Sequence, residues 1–224
     1  MVANPLPEVF HYPLEVDDKL AELDLSQALL WSALRRGLDY KCRLTRYHTN
    51  AIRGLGVWDA INVGLGETLQ RLGWNRKEPG NFAITVHPEE KLCIAVMSGN
   101  AATGSVELPS SNSTPLQTGS RSRTREAVIN NRVALGLQRH FFQMMPSWEQ
   151  PVPTYFLLHR IDADAGEIRA ELSLPTFLPD RYITDWHTRI ILTPPERQMV
   201  AMPYIEPYYE DPGDEIDVPV VEIE

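Results

Sequence analysis

Residues 153–175 read PTYFLLHRIDADAGEIRAELSLP, and this stretch decides the fold class. Two runs rich in aromatic and aliphatic residues flank the polar segment DADAG, a pattern typical of a β-hairpin. A second hairpin is predicted upstream, where NFAITV (residues 81–86) and KLCIAVMS (residues 91–98) are joined by HPEE. HTRIILT (residues 187–193) adds a further strand. The chain is therefore expected to contain a mostly antiparallel sheet built from hairpins.

A helix and a further strand are predicted before the hairpin of residues 81–98. The helix covers residues 24–36, because Asp24 and Gln27 resemble a capping box and Gly37 can close the C-terminus. The sequence that follows, DYKCRLTRY (residues 39–47), alternates as a strand does. The pattern therefore indicates a helix followed directly by a strand.

Two longer helices are predicted further along the chain. The first spans residues 57–72 and carries one apolar stripe: Trp58, Ile61, Leu65, Leu69 and Leu72. The second spans residues 124–142. At the start of the chain, three prolines in residues 1–15 predict an extended arm. Helices and hairpins that do not alternate strictly as βαβ units indicate an α+β fold with about three amphipathic helices.

Charge divides the chain into two parts. Residues 204–224 contain eight of the 30 acidic residues and no Lys or Arg, so the first 203 residues hold 22 acidic and 21 basic side chains. We predict one α+β domain over residues 1–203, with a possible subdivision at the Ser/Thr/Gly-rich loop 99–122. An acidic, irregular, proline-containing tail follows. It is expected to keep the protein soluble, to fold back over basic segments, or to bind a basic partner.

The sequence carries no signal for export or membrane insertion. The first residues lack the basic and apolar regions of a signal peptide, and no apolar run approaches 18 residues. The two cysteines, Cys42 and Cys93, each fall in a predicted strand and do not form a paired framework. We therefore expect a cytoplasmic, prokaryotic protein without membrane contacts.

The sharpest functional signal lies on the helix predicted over residues 124–142. Its arginines repeat every seven residues and therefore share one side: Arg125, Arg132 and Arg139. The opposite side collects apolar residues: Ala127, Val133, Ala134, Leu137 and Phe141. The loop before the helix adds Arg121 and Arg123 close to a helix N-terminus, where phosphate binding is favoured. The pattern indicates a nucleic-acid-binding face, and an ordinary charged solvent face is the alternative.

A second basic run surrounds the predicted strand 39–47. Its cations are Arg35, Arg36, Lys41, Arg43, Arg46 and Arg53, with Asp39 as the only acid. Tyr40, Tyr47 and His48 lie between them, and such rings stack on bases while arginines hold phosphates. The alternative is the charged outer face of an ordinary sheet.

Enzyme motifs are incomplete. GNAATGS (residues 99–105) follows a predicted strand as a phosphate-binding loop would, but it lacks the lysine that contacts the phosphates.

The six histidines show no zinc-ligand spacing. Four carboxylates near the hairpin of residues 153–175 suit a divalent metal or a polar turn: Asp162, Asp164, Glu167 and Glu171. Cys42 and His48 are close enough in sequence for a thiolate pair, although a structural cysteine is favoured.

Three functions follow from these patterns. The first is a non-catalytic, nucleic-acid-associated accessory protein that binds the phosphate backbone through two groups of arginines: Arg121, Arg123, Arg125, Arg132 and Arg139, and Arg43, Arg46 and Arg53. The second is a protein–protein interaction subunit of a larger assembly. The third is a metal-dependent nuclease or phosphodiesterase built on residues 162–171. We expect binding rather than catalysis, and no cofactor.

Overall fold

The computed structural model describes residues 7–106, 116–117, 123–137, 152–162, 167–178 and 182–195. Its helices are α1 (Pro13–Ala21), α2 (Gln27–Cys42), α3 (Asn50–Gln70) and α4 (Arg123–Ala134). Its strands are β1 (Glu8–Phe10), β2 (Asn75–Lys77), β3 (Ile84–Val86), β4 (Cys93–Ser98), β5 (Leu116–Gln117), β6 (Thr154–Asp162), β7 (Glu167–Phe177), β8 (Tyr182–Ile183) and β9 (Asp185–Ile191). Within these ranges, no helix combines the length and the apolar character that crossing a membrane requires.

Seven strands form one mixed sheet in the order β1-β9-β7-β6-β4-β3-β2, and β5 pairs with β8 in a separate two-stranded sheet. Both predicted hairpins are present: β3 pairs with β4, and β6 pairs with β7, each antiparallel. Two neighbouring pairs, β1–β9 and β4–β6, run parallel. The α+β prediction with a mostly antiparallel sheet is therefore confirmed.

Helices cover both faces of the sheet. Tyr155 and Leu157 of β6 join the apolar core that contains buried residues of α1, α2 and α3. Phe156 and Leu158 join a second core, to which α4 contributes Ala127 and Val128. Because successive residues of a strand point to opposite faces, α4 covers the face opposite to that of the other three helices.

The predicted strand at residues 39–47 is wrong, because α2 continues to Cys42 and Arg43 forms its C-cap. Gly37 does not end the helix. It lies where α2 crosses α3, and a Cβ atom there would stand only 2.5 Å from Cγ1 of Ile61. The helical spacing of the buried Leu34 and Leu38 thus outweighs the local alternation of the following residues. Cys42 accordingly lies in a helix.

Helix boundaries differ from the predictions at three other places. Ser26 is the N-cap of α2, and its Oγ accepts from Leu29 N at 3.4 Å, so the predicted box at Asp24 and Gln27 is wrong. The extended arm is interrupted by α1, which begins at Pro13, a position where the missing proline N–H costs no hydrogen bond. Helix α3 begins seven residues earlier than predicted, at Asn50.

The domain boundary at residue 203 remains a prediction, since residues 196–224 lie outside the described part. The predicted loop 99–122 is described in two pieces. Residues 99–106 form a turn after β4, and residues 116–117 are strand β5.

Candidate functional site

The connection between α2 and α3 is an exposed, cationic segment of the described chain. We call residues 43–53 the basic turn. From Tyr40 to Trp58 the sequence contains four Lys or Arg residues and no Asp or Glu. The side chains of Arg43, Arg46 and His48 are exposed, as is most of Tyr47, which keeps 81% of its surface in contact with solvent.

Hydrogen bonds fix the shape of the basic turn around Thr45. The Thr45 N–H donates to His48 Nδ1 at 3.0 Å, and the His48 N–H donates to the Thr45 carbonyl at 3.1 Å. The same carbonyl accepts from Nη2 of Arg53 at 3.2 Å, which connects the turn to the first turn of α3. The backbone of the basic turn and the guanidinium of Arg53 are therefore set before any ligand arrives, and this lowers the entropic cost of binding.

Arg46 and Tyr47 form a stacked pair at the tip of the basic turn. The guanidinium carbon lies 5.0 Å from the centre of the tyrosine ring, and Nη2 donates to the tyrosine hydroxyl at 2.9 Å. Among the described residues, neither Arg43 nor Arg46 forms an ion pair with a carboxylate. The positive charge of these two side chains therefore remains available to an anion in solvent.

Two arginines of α4, unlike Arg43 and Arg46, are engaged in contacts with other elements or residues of the fold. Arg123 forms an ion pair with Glu126 at 2.6 Å. Arg132 donates through Nη1 to the Thr176 carbonyl at 3.2 Å, and its guanidinium lies over the Phe177 ring. Arg125 is half-buried. The contacts of Arg123 and Arg132 thus hold α4 to itself and to β7.

Among the described residues, the predicted apolar face of α4 is confirmed at Ala127 and wrong at Ala134 and Leu137. Val133 is half-buried, whereas Ala134 and Leu137 are exposed, and the buried residues are Thr124, Ala127, Val128, Asn130 and Asn131. Asn131 explains the difference. Its Nδ2 donates to the carbonyls of Thr154 and Pro175, and its Oδ1 accepts from the Thr154 N–H at 2.6 Å. A polar side chain that satisfies strand backbone groups turns this face toward the sheet.

Helix α4 also ends earlier than predicted. Gly136 adopts φ +68°, a left-handed conformation that closes helices, and the Leu137 N–H donates to the Arg132 carbonyl. The helix therefore stops before the predicted end at residue 142. Arg121, Arg139 and Phe141 lie outside the described residues.

The described arginines therefore do not form one surface. Arg43, Arg46 and Arg53 are brought together by the basic turn, on the helices that cover one face of the sheet. Arg123, Arg125 and Arg132 belong to α4, which covers the other face.

The glycine-rich turn after β4 is not available to phosphate, because its amides are already used. The Asn100 N–H donates to Oγ1 of Thr103, and the Ala102 N–H donates to Oδ1 of Asn100, both at 2.9 Å. The Gly104 N–H donates to a carboxylate oxygen of Glu171 at 3.1 Å. A phosphate-binding loop instead directs such N–H groups at its ligand.

The carboxylates near the β6–β7 hairpin do not form a metal site in the described chain. Glu171 is only 2% exposed and forms an ion pair with Arg189, which is 4% exposed. Its oxygens also accept from Ser173 Oγ and Gly104 N. No group of three His, Cys, Asp or Glu side chains able to hold a metal occurs among the described residues, and Asp164 lies outside them.

The cysteines and histidines of the described chain do not form a nucleophilic pair. Burial raises the pKa of Cys93 to about 12, so its thiol stays protonated at neutral pH. His48 Nδ1 is bound to Thr45 rather than to Cys42. His87 is likewise committed: its Nε2 is 3.0 Å from Asp24 Oδ2, and its Nδ1 accepts from the Glu89 N–H.

The structure adds two residues that the sequence analysis missed. Ile52 and Leu55, on the first turns of α3, are 45% and 59% exposed beside the cations of the basic turn. Thr49 followed by Asn50 is a typical helix start and could have revealed these turns of α3.

Comparison with known proteins offers no template for this site. No protein-family model matches the chain, and neither the curated proteins nor the solved structures give a significant match.

Proposed function

We propose that this protein is a non-catalytic, nucleic-acid-associated accessory protein that binds phosphate backbone through the basic turn. One observation carries the proposal: Arg43, Arg46 and Arg53 lie on one hydrogen-bonded segment that contains no acidic residue. Two of these residues, Arg43 and Arg46, are exposed. Clustered guanidinium groups suit phosphate because their N–H groups match its oxygens in pairs.

The arginines around α4 form a second proposed contact, on the other side of the sheet. Arg121, Arg123 and Arg125 lie at the N-terminal end of this helix or just before it. Arg123 and Arg132 contribute less in this proposal, because Arg123 is paired with Glu126 and Arg132 is bound to the Thr176 carbonyl. Arg139 extends the same set beyond the described helix. A polyanion that contacts both groups must pass around an edge of the sheet.

The proposal predicts salt-dependent binding to labelled DNA and RNA, measured by fluorescence anisotropy at 50 and 200 mM salt. Replacing Arg43 or Arg46 with Ala should weaken binding for all sequences. It should also lower the slope of log affinity against log salt by about 0.7 to 0.9 for each phosphate that the variant no longer neutralises. Arg76→Ala is the matched control, because Arg76 is exposed on the edge strand β2, away from the basic turn. Arg125→Ala tests the α4 contact separately.

The proposal fails if the full chain does not bind any of these nucleic acids at 50 mM salt, or if Arg43→Ala and Arg76→Ala change the salt slope equally. The second result would mean that only net charge matters.

A protein–protein interaction subunit of a larger assembly is the second candidate function. The exposed Ile52 and Leu55 favour it, because apolar side chains beside arginine and tyrosine are typical of protein interfaces. This candidate predicts a stoichiometric complex that survives high salt and that Leu55→Ser disrupts, without salt-dependent binding of nucleic acid. We also propose a cytoplasmic location in a prokaryote. The location is supported by Cys42 and Cys93, neither of which is part of a disulfide, as is usual in a reducing compartment.

A further inference from the structure

Tyr47 is an aromatic side chain that the fold does not use. It belongs to neither apolar core, and 81% of its surface is exposed. The ring is nevertheless held in place, because its hydroxyl accepts from Arg46 and its backbone N–H donates to Thr45 Oγ1 at 3.4 Å. A large aromatic ring that is oriented and exposed is suited to contact with a ligand.

The stacked partner of Tyr47 narrows the class of ligand. The Arg46 guanidinium lies over the ring, 5.0 Å from its centre, and most of the remaining ring surface is open to solvent. A planar group can continue this stack. Any nucleobase can stack on a tyrosine ring or an arginine guanidinium, because every base is planar. The base must first be unstacked from its neighbours in the strand.

We propose that the basic turn binds single-stranded nucleic acid, with an unpaired base stacked on Tyr47 and the flanking phosphates held by Arg43 and, to a lesser extent, by Arg53, whose Nη2 is already bound to the Thr45 carbonyl. This inference rests on the proposed function and narrows its substrate class. In a duplex the base faces are stacked on one another, so Tyr47 gains a partner only from a single strand, a loop or an end. The charges alone would favour the duplex, which has the higher charge density.

The test compares a labelled 20-nucleotide single strand with the duplex of the same sequence, as DNA and as RNA, by anisotropy at 50 mM salt. Tyr47→Ala should weaken binding of the single strand by about 5- to 150-fold, the range expected from loss of one base–aromatic stack. Its effect on the duplex should be below about 2-fold. Tyr47→Phe keeps the ring and should retain most of the affinity. Arg46→Lys keeps the charge but removes the planar group, and it should weaken the single strand more than the duplex.

A direct reading of stacking comes from a single strand that contains 2-aminopurine. Its fluorescence should be quenched by the wild-type protein and by Tyr47→Phe, but not by Tyr47→Ala. Tyr12→Ala is the matched control, because Tyr12 is a 60% exposed tyrosine at the start of α1, away from the basic turn. It should leave affinity and quenching unchanged.

The outcomes separate the two proposals. If Arg43→Ala weakens binding while Tyr47→Ala does not, backbone binding stands and base stacking is overturned. Equal losses for single strand and duplex in Tyr47→Ala overturn it as well. If the wild-type protein binds no oligonucleotide, both proposals fail. Unchanged thermal unfolding of each variant shows that a loss of binding is not a loss of fold.

Discussion

Glu171 and Arg189 form an ion pair inside the protein, with both side chains almost completely buried. Arg189 donates to both carboxylate oxygens and also to the carbonyls of Ala102 and Ser105. The pair therefore joins β7 and β9 to the turn that follows β4. Burying two charges is costly, and only such complete pairing makes the arrangement tolerable.

Breaking this pair should destabilise the fold strongly. Arg189→Met leaves a buried carboxylate without its cation, and we expect the free energy of unfolding to fall by about 3–5 kcal/mol. Urea unfolding followed by circular dichroism measures this change. The double variant Arg189→Met with Glu171→Leu removes both charges and should recover most of the loss. A single variant as stable as the wild type would contradict the role given to the pair.

His159 should make stability fall in acid. The residue is 5% exposed on β6, and its Nδ1 has no hydrogen-bond partner. Burial lowers its pKa from 6.5 to about 4; the charge of Lys41 acts in the same direction, and a hydrogen bond to the Met97 backbone opposes it. The folded state thus disfavours protonation of His159. The contribution of the neutral His159 to the free energy of unfolding is therefore complete above pH 6.5. It is lost progressively as the pH falls toward 4, by about 3 kcal/mol in total.

The measurement is the free energy of unfolding in urea at several pH values between 4 and 7. His159→Gln should flatten the curve in this window, because glutamine does not titrate. An equally steep curve in the His159 variant would assign the acid sensitivity to other groups.

The hairpins could be predicted because local sequence decides them. Strand β6 begins with an apolar run, Tyr155 to Leu158, that is buried on both faces, which suits a central strand. The parallel pairing of β4 with β6 could not be predicted in the same way. It joins residues about sixty positions apart, and no local pattern records which strands become neighbours.

The candidate site was predictable only in part. The cations of the basic turn are neighbours in sequence, so their grouping was visible, but they were assigned to a strand face rather than to a turn between helices. On α4 the buried side was mispredicted, because apolar residues alone do not determine which side of this helix packs on the sheet. Asn131 is fully buried because the sheet supplies its hydrogen-bond partners, and a sequence does not show such partners.

Gly37 and Gly54 should respond oppositely to the same substitution. Both lie within helices, where alanine is favoured over glycine by about 1 kcal/mol. A Cβ atom at Gly37 would stand 2.5 and 2.8 Å from two side-chain atoms of the buried Ile61, whereas one at Gly54 meets nothing within 4 Å. Gly37→Ala should lower stability by about 1–3 kcal/mol, and Gly54→Ala should raise it by about 0.5–1 kcal/mol.

Thermal and urea unfolding of the two variants test this pair of expectations directly. An increase in stability for Gly37→Ala would mean that α2 and α3 separate without cost, contrary to the close crossing at Ile61. A decrease for Gly54→Ala would contradict the open position of that residue on α3.

The acidic residues of the C-terminal segment are within reach of the basic turn. Thr193 is fixed beside the first half of α2, since its carbonyl accepts from Trp31 Nε1 at 2.8 Å and its N–H donates to Gln27 Oε1 at 2.7 Å. From Trp31 to Arg43 the helix rises about 18 Å. The eleven residues from Thr193 to Tyr204 span up to about 36 Å when extended.

Removing residues 204–224 should therefore increase affinity for nucleic acid and steepen its salt dependence. The segment carries eight carboxylates and no cation, so under the reading in which it folds back over the basic segments we expect it to compete with a polyanion for the same arginines. Anisotropy titrations of the full and shortened chains at 50, 100 and 200 mM salt measure both quantities. A full-length control with the eight carboxylates changed to amides should behave as the shortened chain does, because charge rather than length is responsible. An unchanged salt slope in both variants would show that the acidic segment does not act on the basic turn.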